Sequence, residues 1–218
     1  MMNKIIHGDC LQEMVKLDAD SVDLVETDPP YGYSFMGKDW DKAVPSVDIW
    51  KQCLRVLKPG AFAFVMSSPR QDVLSQMIVR IGEAGFRTDF TSIYWAYASG
   101  FPKAMNVSKA IDKRLGLERE VVKTIKKTHI SNENTNEGWK RPSHEGKTTM
   151  DITVSNSQEA KLLDGSYGGF QPKPAVEVII VAMKPLSEKT YVDQALKNQK
   201  GLTWLDDARI PFQSEVDL

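Results

Sequence analysis

The chain is poor in cysteine and has no long apolar run. Its 218 residues include two cysteines, Cys10 and Cys53, which form neither a disulfide framework nor a CxxC metal spacing, so we expect reduced thiols. The N-terminus lacks the apolar core of a signal peptide, and no run approaches the roughly 18 apolar residues that a membrane-spanning helix needs. We therefore expect a cytoplasmic protein.

Net charge is also nearly absent. Lys and Arg number 28 against 29 Asp and Glu, which gives a formal net charge of −1. This balance excludes a strongly basic composition, although a neutral total can conceal a basic face that binds nucleic acid. His7, His129 and His144 are scattered and form no ligand pattern with the cysteines, so no metal site is predicted.

Most of the chain alternates between segments of strand character and segments with helical spacing of apolar residues. The predicted strands are 4–7, 21–27, 61–66, 88–98 and 176–183, and the predicted helices are 11–17, 46–57, 71–84, 107–115 and 188–198. This order is typical of an α/β fold in which helices cover both faces of a sheet.

Residues 123–174 differ from the rest because they are rich in Lys, Asn, Ser, Thr, Glu and Gly and show no sustained periodicity. A polar stretch of this length within a compact domain is either functional or disordered. We therefore predict one catalytic domain formed by 1–122 and 175–218, carrying a polar insertion at 123–174.

Residues 28–31, Asp-Pro-Pro-Tyr, end the second predicted strand with a rigid corner. The prolines fix φ and carry no N–H, so the corner offers the Asp28 carboxylate and the prolyl carbonyls as acceptors beside the flat Tyr31 ring. Ligands bind at the carboxyl ends of strands in open α/β sheets. Acceptors beside an aromatic ring suit a planar group carrying an amine, such as adenine or cytosine, and would stabilise positive charge developing on its nitrogen.

The corner and its surroundings resemble amino-directed DNA methyltransferases, which transfer a methyl group from S-adenosylmethionine to N6 of adenine or N4 of cytosine. Residues 6–31 are similar to the start of the circularly permuted, beta-type group. The segments YGYSFMGKDWD, WKQCLRVLKPGAFAFV, ASGFPKAMNVSKAIDK and QPKPAVEVIIVAMKPLSEKT resemble phage-like DNA methylases. The resemblance runs from about residue 4 to 211. It implies a Rossmann-like, mostly parallel sheet with an antiparallel pair formed by 88–98 and 176–183.

The resemblance also implies a reaction. S-adenosylmethionine would be the cofactor, DNA the partner, and the target base would be flipped out of the duplex. Direct in-line transfer needs no covalent enzyme intermediate and no catalytic cysteine. The aspartate form of the motif favours adenine N6, and cytosine N4 stays open.

Residue roles follow from the matching positions. Asp28 and the Pro29 carbonyl would hold the amine, Pro30 would stiffen the corner, and Tyr31 would stack on the base. Gly8, Asp9 and Asp28 would lie near the cofactor. An N-cap is the alternative role of Asp9, because this residue lies between a predicted strand and a predicted helix.

Candidate DNA contacts lie in three places along the chain, and each has a structural alternative. The loop that leaves the corner contains Lys38 and Trp40, which either contact DNA and the flipped base or belong to a packed loop. The other candidates are Ser99, Gly100, Phe101 and Lys103 after the strand 88–98, and Lys140 and Arg141 beside Trp139 in the polar insertion. Residues 67–70 end another strand at the same edge and are expected to line the pocket.

The chain departs from the family pattern after the strand 176–183. A His-Pro-x-x-Lys-Pro segment and then Asp-Pro-Phe-x-Gly-Ser-Gly are expected there, and neither is present. Three interpretations stay open: the sequence is a fragment, a second chain or dimer partner supplies the cofactor loop, or the protein no longer methylates. The alternative function is a non-catalytic DNA-binding or partner subunit.

Overall fold

The computed structural model describes residues 3–33, 39–96, 104–126, 149–169 and 176–210. The chain divides into two compact units, Met1–Ser99 with Pro174–Leu218 and Gly100–Lys173. The second unit therefore begins before residue 123, where the sequence predicts the insertion to start, and it includes the preceding helix.

Six helices and six strands are formed in the described residues. In chain order they are α1 (Cys10–Met14), β1 (Val25–Thr27), α2 (Val47–Val56), β2 (Phe62–Ser67), α3 (Gln71–Glu83), β3 (Ile93–Ala96), α4 (Val107–Arg114), β4 (Val121–Lys126), β5 (Thr149–Thr153), α5 (Gln158–Leu162), β6 (Val176–Met183) and α6 (Tyr191–Asn198). Short 3-10 helices lie at Asp39–Asp41 and Leu205–Ala208. None of the described helices is long and apolar enough to span a membrane.

The first unit is built on a mixed sheet in the order β1-β2-β6-β3. Strands β1 and β2 are parallel, whereas β6 is antiparallel to both β2 and β3. The predicted α/β class and the antiparallel pairing of β3 with β6 are confirmed. The expected majority of parallel pairs is not what the described strands show, because β6 lies between β2 and β3 and runs opposite to both.

The core of this unit lies between the sheet and the apolar faces of α2 and α3. Helix α2 buries Trp50, Cys53 and Val56, and α3 buries Val73, Met77 and Ile81 at spacings of three and four residues. Strand β2 alternates, so that every second side chain is buried against the helices. Burial of these faces fixes the position of β1 and β2, and therefore of the corner that follows β1.

Two expectations from the sequence are corrected. Residues 4–7 form no strand, because no described strand pairs with them, and Ile5 is 95% exposed. The polar stretch, where no periodicity was expected, contains the end of β4, β5 and α5 in its described part. Strands β4 and β5 form a two-stranded antiparallel sheet whose side chains are mostly exposed, so they lack the apolar run that marks a buried strand.

Candidate active site

The corner residues lie directly after β1, at the carboxyl end of the parallel pair formed by β1 and β2. Thr27, the last residue of β1, is in register with Val65 of β2, which ends two residues later at Ser67. Asp28 is exposed, whereas Pro29, Pro30 and Tyr31 are half-buried. The sheet edge thus presents one accessible carboxylate beside a partly covered aromatic ring.

Asp28 and Tyr31 are joined by a short hydrogen bond. The Tyr31 hydroxyl donates to Oδ1 of Asp28 at 2.6 Å. Burial of the ring raises the pKa of Tyr31 well above its ordinary value, and the Asp28 carboxylate, which accepts the hydrogen bond, raises it further. Tyr31 is therefore a neutral donor, and Asp28 already acts as an acceptor towards a group at the corner.

A second tyrosine supports the first. The ring of Tyr33 lies edge-on to that of Tyr31, with centroids 6.1 Å apart and planes at 81°. The guanidinium carbon of Arg70 is 4.1 Å from the Tyr33 ring centroid, and the Tyr33 hydroxyl is hydrogen-bonded to Ser68. Burial raises the pKa of Tyr33, and the positive charge of Arg70 opposes that increase. Ser68 and Arg70 thus lie at the same edge as the corner, where the sequence placed residues 67–70.

Arg70 is itself held in place by a carboxylate. Its Nε and one terminal nitrogen donate to the two Asp72 oxygens at 2.6 and 2.8 Å. This bidentate pair raises the pKa of Arg70 and lowers that of Asp72. The cation therefore faces the Tyr33 ring with its orientation fixed from α3.

The backbone that leaves the corner is held by Asp41. Oδ1 of Asp41 accepts a hydrogen bond from the Gly32 N–H at 2.8 Å, and Oδ2 accepts one from the Tyr33 N–H at 3.2 Å. Asp41 is only 3% exposed. Gly32 has a φ of +77°, and a Cβ there would lie 3.0 Å from the Val44 backbone nitrogen. The chain therefore turns back tightly on the segment that contains Asp41.

Gly8 and Asp9 precede α1 and are exposed. Oδ1 of Asp9 accepts a hydrogen bond from the Gln12 N–H at 3.1 Å, which makes Asp9 the N-cap of α1. The N-cap role is therefore observed, and the cofactor contact stays a prediction.

Of the candidate DNA contacts, Trp40 lies within the described residues. It belongs to the 3-10 helix Asp39–Asp41 and is 63% exposed, which makes its indole accessible. The remaining candidates, Lys38, Ser99, Gly100, Phe101, Lys103, Lys140 and Arg141, lie outside the described residues.

The cysteines are not part of the corner. Cys10 is exposed on α1, and Cys53 is buried on α2, where its thiol lies 3.7 Å from Sδ of Met14. Burial raises the pKa of Cys53 to about 11, so this thiol is protonated at neutral pH.

Sequence reasoning missed two residues of the site. Asp41 and Tyr33 were quoted within a family-like segment, but neither was assigned a role. The periodicity of Tyr31 and Tyr33 was a usable signal, since alternate residues of extended chain share a face. The contact of Asp41 with the corner depends on the turn at Gly32, which only the three-dimensional structure shows.

Comparison with known proteins identifies relatives among methyltransferases. No model of a known protein family matches the chain. The chain is 38% identical over 77 residues to DNA adenine methyltransferase YhdJ of Escherichia coli K12, covering 29% of this chain and 24% of that protein. It is 32% identical over 110 residues to the type II methyltransferase M.HinfI of Haemophilus influenzae, covering 41% of this chain and 29% of that protein.

A solved structure is also similar. The protein TTHA0409 of Thermus thermophilus, described as a DNA modification methylase, superposes with a TM-score of 0.41 at 17% identity, covering 94% of this chain and 64% of that one. The segments matched in the two curated relatives span about a quarter of those proteins' length. The resemblance to DNA methyltransferases that the motifs indicate is confirmed by the curated relatives.

Proposed function

We propose that this protein methylates the exocyclic amine of a base in DNA, N6 of adenine or N4 of cytosine, with S-adenosylmethionine as the methyl donor. The observation that carries the proposal is the corner after β1, where the exposed Asp28 carboxylate lies beside the half-buried Tyr31 ring. The sequence similarity to a DNA adenine methyltransferase supports the same chemistry.

The corner is suited to hold an amine because it offers acceptors in a fixed arrangement. Asp28 already accepts a hydrogen bond from an O–H donor, and an amine N–H can take the same oxygen or the other one. The prolines at 29 and 30 have no N–H that would compete for the amine's lone pair. Acceptors around the nitrogen stabilise the positive charge that develops as it attacks a methyl group.

The aromatic ring at the corner supplies the second contact. Tyr31 would stack on the flat face of the base, an interaction that does not depend on which base is present. Tyr33 and Arg70 support that ring from the side, so its orientation is set before a base arrives. Positioning of this kind accounts for much of the rate enhancement in reactions without a covalent enzyme intermediate.

S-adenosylmethionine, when bound, supplies an activated methyl group on a sulfonium centre. Gly8 and Asp9 would hold its adenosine part. The exposed Asp9 carboxylate at the start of α1 suits hydroxyl and amine donors, which are the polar groups of an adenosine. DNA as the substrate, a second chain that contributes to cofactor binding, and a cytoplasmic location belong to the same proposal.

Methyl incorporation tests the role of the corner. The full chain is incubated with DNA and S-adenosylmethionine carrying a labelled methyl group, and label in DNA is counted for wild type, Asp28→Ala and Asp48→Ala. We expect Asp28→Ala to lose about 100-fold or more of the activity, as when a group that stabilises transition-state charge is removed.

Asp48 on α2 is the matched control, because its carboxylate is 72% exposed and pairs only with Lys51 among the described residues. Asp48→Ala should retain wild-type activity. Near-normal transfer by Asp28→Ala, with circular dichroism showing both variants folded, would contradict the assigned chemistry.

A further inference from the structure

We propose that Asp41 is a positioning residue for this site, which fixes the corner through the backbone of Gly32 and Tyr33. The inference rests on the proposed function and assigns a role to a residue that does not touch the substrate. Its basis is a buried carboxylate whose two oxygens accept hydrogen bonds from two consecutive N–H groups.

A carboxylate buried in this way is costly unless its hydrogen bonds repay the lost hydration. Asp41 is 3% exposed, and the Gly32 and Tyr33 N–H groups lie 2.8 and 3.2 Å from its oxygens. Hydrogen bonds to an ionised acceptor are roughly twice as strong as those between neutral groups. The bidentate contact therefore fixes the orientation of two successive peptide groups.

These two peptide groups are the ones that can transmit position to the corner. Residues 29 and 30 are prolines and carry no N–H, so the backbone at the centre of the corner cannot be held by a donor of its own. Gly32 and Tyr33 directly follow Tyr31. Restraining their N–H groups restrains Tyr31 and, through its hydroxyl, the Asp28 carboxylate.

The segment that contains Asp41 is itself anchored to α3. A terminal nitrogen of Arg80 donates to the carbonyls of Val44 and Pro45, the latter at 3.1 Å. Gly32 approaches the Val44 nitrogen so closely that a Cβ would lie 3.0 Å from it. A continuous set of contacts therefore runs from α3 through residues 41–45 to the corner.

This geometry predicts an effect on turnover rather than on DNA affinity. Loosening the corner misplaces the acceptors relative to the amine, and small misplacements of reacting groups reduce the rate strongly. Contacts with the DNA backbone do not depend on the corner, so binding should change little. Asp41→Asn replaces one oxygen by an NH2 group, which faces an N–H donor and cannot accept its hydrogen bond.

The experiment compares wild type, Asp41→Asn and Asp39→Asn in the full chain. Asp39 belongs to the same 3-10 helix but has a side chain that is 87% exposed, so it is the matched control. Amide hydrogen exchange at Gly32 and Tyr33 and the kcat and KM for DNA methylation are measured. For Asp41→Asn we expect at least tenfold faster exchange at both amides, at least a tenfold lower kcat and a KM within about threefold of wild type.

Three outcomes would overturn the inference. One is unprotected Gly32 and Tyr33 amides in wild type, a result that needs no variant and so is independent of whether Asp41→Asn folds. The second is an unchanged kcat in a folded Asp41→Asn. The third is an equal loss of kcat in Asp39→Asn. A wild type that transfers no methyl group contradicts the proposed function instead, and the amide exchange then still decides whether Asp41 holds the corner.

Discussion

At the scale of single residues, the hydroxyl of Tyr31 occupies the carboxylate oxygen that the proposed chemistry would use. The 2.6 Å bond between Tyr31 Oη and Asp28 Oδ1 places an O–H donor where an amine donor is expected. The hydroxyl therefore keeps the carboxylate hydrogen-bonded and oriented before a base arrives. It also competes with the amine for the same acceptor.

Substitutions at Tyr31 separate the ring from the hydroxyl. Tyr31→Phe removes the competing donor and keeps the ring, so methyl transfer should stay within about threefold of wild type. Tyr31→Ala removes the stacking surface, which is worth about 1–3 kcal/mol per base, so transfer should fall by about 10-fold to more than 100-fold.

Steady-state kinetics on the two Tyr31 variants, with Tyr33→Phe as the control for loss of a hydroxyl that contacts Ser68, checks this expectation. If Tyr31→Phe is as impaired as Tyr31→Ala, the hydroxyl has a direct role and the stacking interpretation is wrong.

Asp112 is the clearest titrating residue of the second unit. Burial alone would raise its pKa, but hydrogen bonds from the Asn156 N–H, the Ser157 N–H and the Ser157 hydroxyl, together with Arg119, lower it to about 2. A carboxyl whose pKa is lower when folded stabilises the folded state above its unfolded pKa, and that contribution disappears as the pH falls through the folded value.

The second unit should therefore lose stability as the pH falls from about 4 to about 2. Ala160 is a suitable probe, because it is fully buried on α5 and its N–H donates to the Ser157 hydroxyl. Its amide exchange should accelerate over this range in wild type. In Asp112→Asn the exchange should be faster at pH 5 and should change less on acidification.

The exposed Asp151 on β5 supplies the control, and Asp151→Asn should follow wild type. An Asp112→Asn profile that is parallel to that of wild type from pH 5 to pH 2 would show that Asp112 is not the titrating group.

At the scale of elements, the sequence predicted best those segments whose burial is complete. The limits of β6 were predicted correctly, and those of α3 to within one residue, because an apolar run and a 3-4 spacing leave few alternatives. Strand β5 was missed because all but one of its side chains are exposed and its pairing with β4 depends on a distant segment.

The site divides in the same way. The residues at 28–31 form a local motif, so their position after a strand could be predicted from spacing and proline content alone. Asp41 contacts Gly32 across nine residues, and its two hydrogen bonds require a positive φ at Gly32. Contacts that depend on how the chain returns to itself are not encoded in any short pattern, so sequence reasoning could not assign them.

At the scale of the whole molecule, the described site residues all belong to the first unit. Asp28, Tyr31, Asp41 and Arg70 lie within Met1–Ser99, and the mixed sheet with α3 holds them. The second unit is stabilised by its own buried network around Asp112. Target recognition by the polar residues 123–174 stays a prediction. The methylation activity of the whole protein stays a proposal, since the matched segments span about a quarter of the curated relatives.

The central claim is that the corner accepts the amine of a DNA base, and the chemical identity of the product tests it most directly. DNA incubated with the full chain and S-adenosylmethionine is digested to nucleosides and analysed by mass spectrometry against standards. The account predicts N6-methyl-2′-deoxyadenosine or N4-methyl-2′-deoxycytidine. Methylation at C5 of cytosine, or no methylated nucleoside at all, would contradict it.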